Sequence, residues 1–248
     1  MSENFGKVKS KLGKQSALKE NFINFPQQEF CTTILSIGAP FSGKTYIMLL
    51  VLREWLKMRM FEEKNVHLVL PAYRNEMTGS YKWILDEYPD VNIYEQYNDS
   101  IVKGILKQQK KNTDLIEKGK LKEMPRVFLA IDDATSEKGI FNSKELMELV
   151  VKNRHLHCHQ WYLLHYDKGV IGPKIRSNMY YVFLYKVKDA LLRECFKDYV
   201  QFDEFDDYKK DFKPWWRAEI TPHPHGFMLI AGKDSYSSDG PDWFESEE

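Results

Sequence analysis

The chain is poor in cysteine. Its three, Cys31, Cys158 and Cys195, are odd in number and widely spaced, which excludes a disulfide framework and suits reduced thiols in a cytosolic or nuclear setting. It also lacks a long hydrophobic run: nothing approaches the ~20 apolar residues of a membrane-spanning helix, so no membrane segment is expected. The N-terminus carries charges with no apolar core behind them, which argues against a secretory signal. A soluble, intracellular protein is the expectation. Net charge is absent as well, with 36 Lys and Arg against 36 Asp and Glu, so only local clustering can speak for a polyanionic partner. There is no internal repeat, no Asn-Lys-x-Asp guanine motif and no arginine-rich lid. The last two absences count against GTPases and small nucleotide kinases.

What is present centres on Gly38-Ala39-Pro40-Phe41-Ser42-Gly43-Lys44-Thr45. It reads G-x-x-x-x-G-K-T, the phosphate-binding P-loop. A β-branched apolar run, residues 31–37, precedes it, and a Gly- and Pro-free helix former, residues 44–60, follows it. Strand, glycine loop and helix is the context the chemistry requires, because loop N–H groups and the helix N-terminus turn partial positive charge on the phosphates. Lys44 is placed to reach the β- and γ-phosphates of ATP, and the Thr45 hydroxyl to bind Mg²⁺.

A second signature follows at Arg126-Val127-Phe128-Leu129-Ala130-Ile131-Asp132-Asp133, an apolar strand ending in paired carboxylates. Asp132 is the candidate Mg²⁺ ligand. Asp133 is the candidate that polarises the attacking water, where many P-loop ATPases carry a Glu.

Between and after these segments, strands are expected at 66–70, 91–94, 160–165 and 179–185, and helices at 77–88, 100–118, 142–155 and 188–200. A β-hairpin is expected from 215–220 and 226–231, with 203–213 a loop. Alternating strands and helices imply an α/β fold, a three-layer αβα sandwich around a largely parallel sheet, with nucleotide at the strands' carboxyl ends. Two strands lie in sequence between the P-loop strand and the Asp132–Asp133 strand, which favours the additional-strand ATPases. The domain plan is a basic N-terminal arm at 1–28, a P-loop ATPase domain at 29–232, and an acidic, disordered tail at 233–248. The arm is either a solvated segment or a contact for DNA phosphates or a neighbouring subunit. The lysine-rich face of 100–118 has the same two readings, a solvated face or the wall of a nucleic-acid channel.

Other candidates are weaker. Arg154 and Arg176 could each complete a neighbouring subunit's site, since such ATPases stabilise γ-phosphate charge with an arginine from the next subunit. His165, at the end of the strand after the Asp pair, either senses the γ-phosphate or is bonded within the sheet. The His155, His157, Cys158 and His159 cluster has no second ligand group, so a zinc site is rejected.

Gly38–Thr45, Ile131-Asp132-Asp133, the Asn153-Arg154-His155 step and Gly172–Asn178 leading into Tyr180-Tyr181-Val182-Phe183 together resemble the viral genome-packaging ATPases of the FtsK–HerA superfamily. The poxvirus-type enzymes of large DNA viruses and virophages are the nearest in pattern. The resemblance covers roughly residues 30–232. It implies a RecA- or FtsK–HerA-like fold and a motor that drives double-stranded DNA into a capsid. It further implies a homo-oligomeric ring, hexamer or pentamer, a capsid or portal-like partner, and residence in the host cytoplasm or the virion. The family usually has a glutamine where this chain has His165, and the carboxylate pair here is Asp-Asp. A small-molecule kinase and a nucleotide-gated scaffold with little hydrolysis are the alternative readings.

Overall fold

A computed structural model describes residues 31–70, 82–133, 139–165, 173–200, 205–223, 225–231 and 234–238. The expected arm at 1–28, the start of the helix expected at 77–88 and the tail beyond 238 lie outside the described residues.

The strands are β1 (Thr33–Ile37), β2 (Val66–Val69), β3 (Asn92–Tyr94), β4 (Val127–Ile131), β5 (Cys158–Leu164), β6 (Tyr181–Tyr185), β7 (Phe227–Ala231) and β8 (Asp234–Ser238). They form one sheet in the order β3-β2-β4-β5-β1-β6-β7-β8. β3, β2, β4, β5, β1 and β6 run parallel to one another, whereas β7 is antiparallel to β6 and β8 to β7. The central strands β1, β4, β5 and β6 are buried at every residue, as expected of parallel strands covered on both faces.

The helices are α1 (Lys44–Lys57), α2 (Lys82–Glu87), α3 (Asp99–Glu117), α4 (Lys144–Val151), α5 (Pro173–Arg176), α6 (Asp189–Tyr199) and α7 (Lys213–Glu219). Two separate cores make the three layers. On one face α1 and α2 pack on the sheet, with Trp55 against Phe128 and Trp161 at ring distances of 5.9 and 6.2 Å. On the other, α3, α4, α6 and α7 cover β1, β4, β5 and β6, with the Phe205 and Phe212 rings tilted against Trp215 at 5.2 and 6.0 Å. Each such ring contributes roughly 1.5–3 kcal/mol by leaving water.

Sheet order matters for the site. β5 is inserted between β4 and β1, so three adjacent strand ends carry Asp132–Asp133, His165 and the glycine loop. α3 is capped by the Asn98 side chain, which accepts from Ser100 N, and α4 by Ser143, which accepts from Leu146 N.

The C-terminal part differs from expectation. Residues 213–219 are helical, not the first arm of a hairpin. Pro214 stands in the first turn of α7, where its fixed φ suits a helix and its missing N–H costs nothing. Trp215 and Trp216 bury side by side against Phe212 rather than alternating across a sheet. The expected loop at 203–213 contains a π-helical turn, Tyr208–Phe212. The hairpin is formed instead by β7 and β8, so part of the expected acidic tail is the edge strand.

Candidate functional site

The glycine loop hangs between two strands. Gly38 N donates to Leu164 O at the end of β5 (3.1 Å), and Ala39 N donates to Lys186 O just beyond β6 (3.1 Å). A Cβ on Gly38 would lie 2.5 Å from Tyr185 Cβ, so only glycine lets the loop sit this close to β6. Gly43 has φ 89° and enters α1 without any side-chain cap. The first N–H groups of α1 therefore have no partner within the helix and none from a capping side chain, which is the arrangement that fits a phosphate. No acidic residue stands in that first turn. Phe41, at φ 61°, projects from the loop with 93% of its surface exposed.

Lys44 is buried in this cradle. Its Nζ donates to Gly38 O and Ala39 O, both at 2.8 Å, and to Ser42 Oγ at 3.4 Å. Burial lowers its pKa to about 8, with the Asp132 and Asp133 carboxylates opposing that fall.

Asp132 and Asp133 differ in setting. Asp132 is buried. Its Oδ2 accepts from Thr45 Oγ1 at 2.7 Å and its Oδ1 from Asp133 N at 2.8 Å. Asp132 N donates to Val69 O, 2.9 Å, which extends the ladder by one residue and fixes the carboxylate over the start of α1. Asp133 has φ 48°, left-handed backbone that Asp tolerates better than most residues. That turn swings its side chain out of the sheet to about 37% exposure.

His165 joins the two parts. Its Nδ1 is 3.2 Å from Lys44 Nζ and 3.3 Å from Gly38 O, and its Nε2 is 3.8 Å from Asp133 Oδ1. Nδ1 accepts from Lys44 Nζ when the ring proton is on Nε2, and donates to Gly38 O when it is on Nδ1. The structure thus brings Lys44, Thr45, Asp132, Asp133 and His165 together, with Gly38, Ala39, Pro40, Phe41, Ser42 and Gly43 forming the loop around them.

Arg154 and Arg176 are elsewhere. Asn153, beside Arg154, donates to Cys31 O and Thr33 Oγ1, and Tyr180 N donates to Thr33 O. These contacts place both arginine segments at the beginning of β1. The loop lies at its other end, about 15 Å away at ~3.3 Å per residue. Arg154 is exposed. Arg176 is ion-paired with Asp198 near the end of α6. A cavity of about 330 Å³ opens here, lined by Cys31, Asn153, Arg154, Asn178 and Tyr180.

The three histidines considered for zinc diverge. His155 is exposed and His157 half-buried. His159 lies in the core, 5.3 Å from the Phe61 ring, where burial pushes its pKa down to about 3. One contact of the loop was not anticipated. His225, at the entry to β7, packs on Gly43, with its Nδ1 3.3 Å from where a Cβ would stand. Its distance of many residues from the motif leaves no local signal for this contact.

No family model matches the chain. It is 26% identical over 166 residues, 64% of this chain and 57% of the other, to uncharacterized protein 075L of Invertebrate iridescent virus 6. It is 27% identical over 173 residues, 69% of this chain and 48% of the other, to uncharacterized protein 015R of Frog virus 3. The chain thus spans about half the length of these relatives. Among solved structures, it is similar to the conjugation coupling protein TcpA of pCW3 with ATPγS. The TM-score is 0.58 at 15% identity, over 85% of this chain and 60% of that one. It is also similar to the genome-packaging NTPase B204 of Sulfolobus turreted icosahedral virus 2 with AMP. There the TM-score is 0.55 at 12% identity, over 85% of this chain and 98% of that one. The chain shares the α/β fold of these two proteins.

Proposed function

We propose that the chain is an ATP-hydrolysing motor that translocates double-stranded DNA into a viral capsid, acting as a ring with nucleotide sites between subunits. One observation carries the nucleotide reading: three adjacent strand ends converge a buried lysine, a hydroxyl–carboxylate pair and a second, open carboxylate on an uncapped helix start. Nucleotide phosphates take the place of the Gly38 and Ala39 carbonyls as partners of Lys44 Nζ, and the N–H groups of the loop and first turn hold the remaining oxygens. Thr45 Oγ1 and Asp132 Oδ2, 2.7 Å apart, would hold Mg²⁺, since both are hard oxygen donors. That ion supplies neutralisation of phosphate charge during transfer.

Hydrolysis forms a bond from the water oxygen to the γ-phosphorus and breaks the bond to the β-phosphate bridging oxygen. Asp133 accepts the water proton. His165 Nε2 lies 3.8 Å from that carboxylate. Arg154 or Arg176 stabilises γ-phosphate charge in the neighbouring subunit's site, because this chain's own loop is beyond their reach. Residues 29–232 form the ATPase body, with β8 completing its edge.

The DNA substrate is supported by fold-sharing with a packaging NTPase and a conjugation coupling protein, both named for DNA processes. The viral setting is supported by the two viral relatives. Among the described residues no helix is long and apolar enough to cross a membrane.

The test is ATP turnover by the purified chain, with and without double-stranded DNA, across protein concentrations. Turnover should rise with DNA and more steeply than linearly with protein. Turnover linear in protein and indifferent to DNA would sink the ring motor. Phosphate transfer to a nucleoside would mark a kinase, and ATP binding without turnover a scaffold.

A further inference from the structure

Two basic surfaces compete as candidates for a polyanion. The first lies on α3, where Lys103 and Lys110 face Glu145 and Glu148 at 3.4 and 3.1 Å. There the groove carries four lysines against three carboxylates, so its charge is largely cancelled. The second is a groove of about 670 Å³ between the start of α6 and the π-turn with α7. Among the described residues it is lined by Arg193, Lys209, Lys213 and Arg217, with Asp189 as the one acid and Tyr208 beside it.

That acid is already committed. Asp189 Oδ1 accepts from Lys213 Nζ at 2.6 Å and from Tyr208 OH at 3.0 Å, and these bonds hold its pKa below the usual carboxylate value. Asp207, close to Lys209 in the chain, is also occupied: its Oδ1 accepts from Lys209 N and Lys210 N at 2.7 and 2.9 Å. Arg193 and Arg217, from different helices, both act on the Tyr208 hydroxyl, opposing the rise that burial causes. Two guanidinium groups therefore converge on one groove with an excess of positive charge. Both arginines are exposed.

The groove is also connected to the nucleotide loop. α6 begins three residues after Lys186, whose carbonyl accepts from Ala39 N of the glycine loop at 3.1 Å. Both features sit at the carboxyl edge of the sheet. We propose that the Arg193–Arg217 groove docks the phosphate backbone of double-stranded DNA. The inference rests on the DNA-motor reading above. Guanidinium groups bind phosphate oxygens in a fork geometry that a lysine surface does not match, and backbone contacts of this kind are independent of base sequence. A DNA phosphate in this groove pulls on the segment that hangs the loop, which links DNA contact to nucleotide turnover.

The test is binding of fluorescently labelled double-stranded DNA to the full chain, measured over a series of salt concentrations. Arg193→Gln/Arg217→Gln should bind at least about tenfold more weakly, and its log K against log salt should be shallower by roughly 2. Its turnover without DNA should match the parent, since neither residue touches the nucleotide site, and Arg193→Gln alone should give an intermediate loss. Lys107→Gln/Lys111→Gln on α3 should bind as the parent does. If the parent binds DNA and the arginine variant binds equally with the same slope, the groove is overturned while the motor reading stands. Loss of affinity in the α3 variant alone would overturn the groove in the same way. If tripolyphosphate competes with DNA for the parent and equally for the arginine variant, the phosphate site is elsewhere and the groove is again overturned. If the parent binds no DNA at all, the groove and the motor reading fall together.

Discussion

The two ends of the central sheet use polar residues in opposite ways. At the carboxyl end, Lys44, Thr45, Asp132 and His165 are interlocked: each is bonded to another or to the loop backbone. At the amino end, the locked residues lie beneath, with Asn153 tied to Thr33 and Cys31, and Arg154, His155 and Tyr180 are exposed above them. Buried polar groups need partners, and a preorganised set of them is what binds charge in a low-dielectric site. In the proposed ring, the carboxyl end would hold the nucleotide and the amino end would face the next copy.

The largest expected effect strikes the interlocked end. Lys44→Ala removes the buried ammonium of the cradle and should abolish ATP turnover, measured as phosphate release. A variant with parental turnover would remove the loop as the site. The amino end should behave differently. Arg154→Ala or Arg176→Ala should lower turnover by about 10³–10⁵ if it supplies the trans cation. Mixed with Lys44→Ala subunits, the responsible arginine variant should regain activity, because a mixed interface pairs an intact loop with an intact arginine. Absence of rescue at every mixing ratio, for both arginines, would end the half-interface reading.

A pH series sharpens the contrast, since Lys44 has a pKa lowered by burial to about 8 from 10.5. Phosphate favours the ammonium form, so nucleotide binding should be full below about pH 8 and weaken as pH rises through it. In the free protein the sign is reversed. The unfolded lysine holds its proton up to 10.5, so stability should rise between about 8 and 10.5. Lys44→Met should lose both effects. Calorimetric binding and thermal melting across this range check them, and a flat binding profile would show that Lys44 is not desolvated.

Much of this was readable from local sequence. The glycine loop, the paired carboxylates and the buried strands β1, β4, β5 and β6 each carry their signal within a few residues, in glycine positions and unbroken apolar runs. The alternation of elements also gave the three layers. Pairing was less accessible. The insertion of β5 between β4 and β1 is a long-range choice, and with it the placing of His165 between Lys44 and Asp133. Trp215 and Trp216 read as strand formers, yet Pro214 and the aromatic pile around Phe212 set them in a helix. β8, Asp-Ser-Tyr-Ser-Ser, has none of the apolar alternation of a half-buried strand. As an edge strand it is held by backbone bonds to β7, which need no apolar pattern.

The smallest effect is expected at the residue that connects the sheet's carboxyl-end groups to each other. With its proton on Nε2, His165 accepts at Nδ1 beside Lys44 and turns Nε2–H toward Asp133 at 3.8 Å. A glutamine can do both, accepting through Oε1 and donating through Nε2, so His165→Gln should keep turnover within about threefold of the parent. His165→Ala removes both contacts. With one hydrogen bond worth about 0.5–1.5 kcal/mol, turnover should fall about tenfold. If alanine is tolerated as well as glutamine, His165 only packs at the end of β5, and Asp133 is oriented by its own left-handed turn.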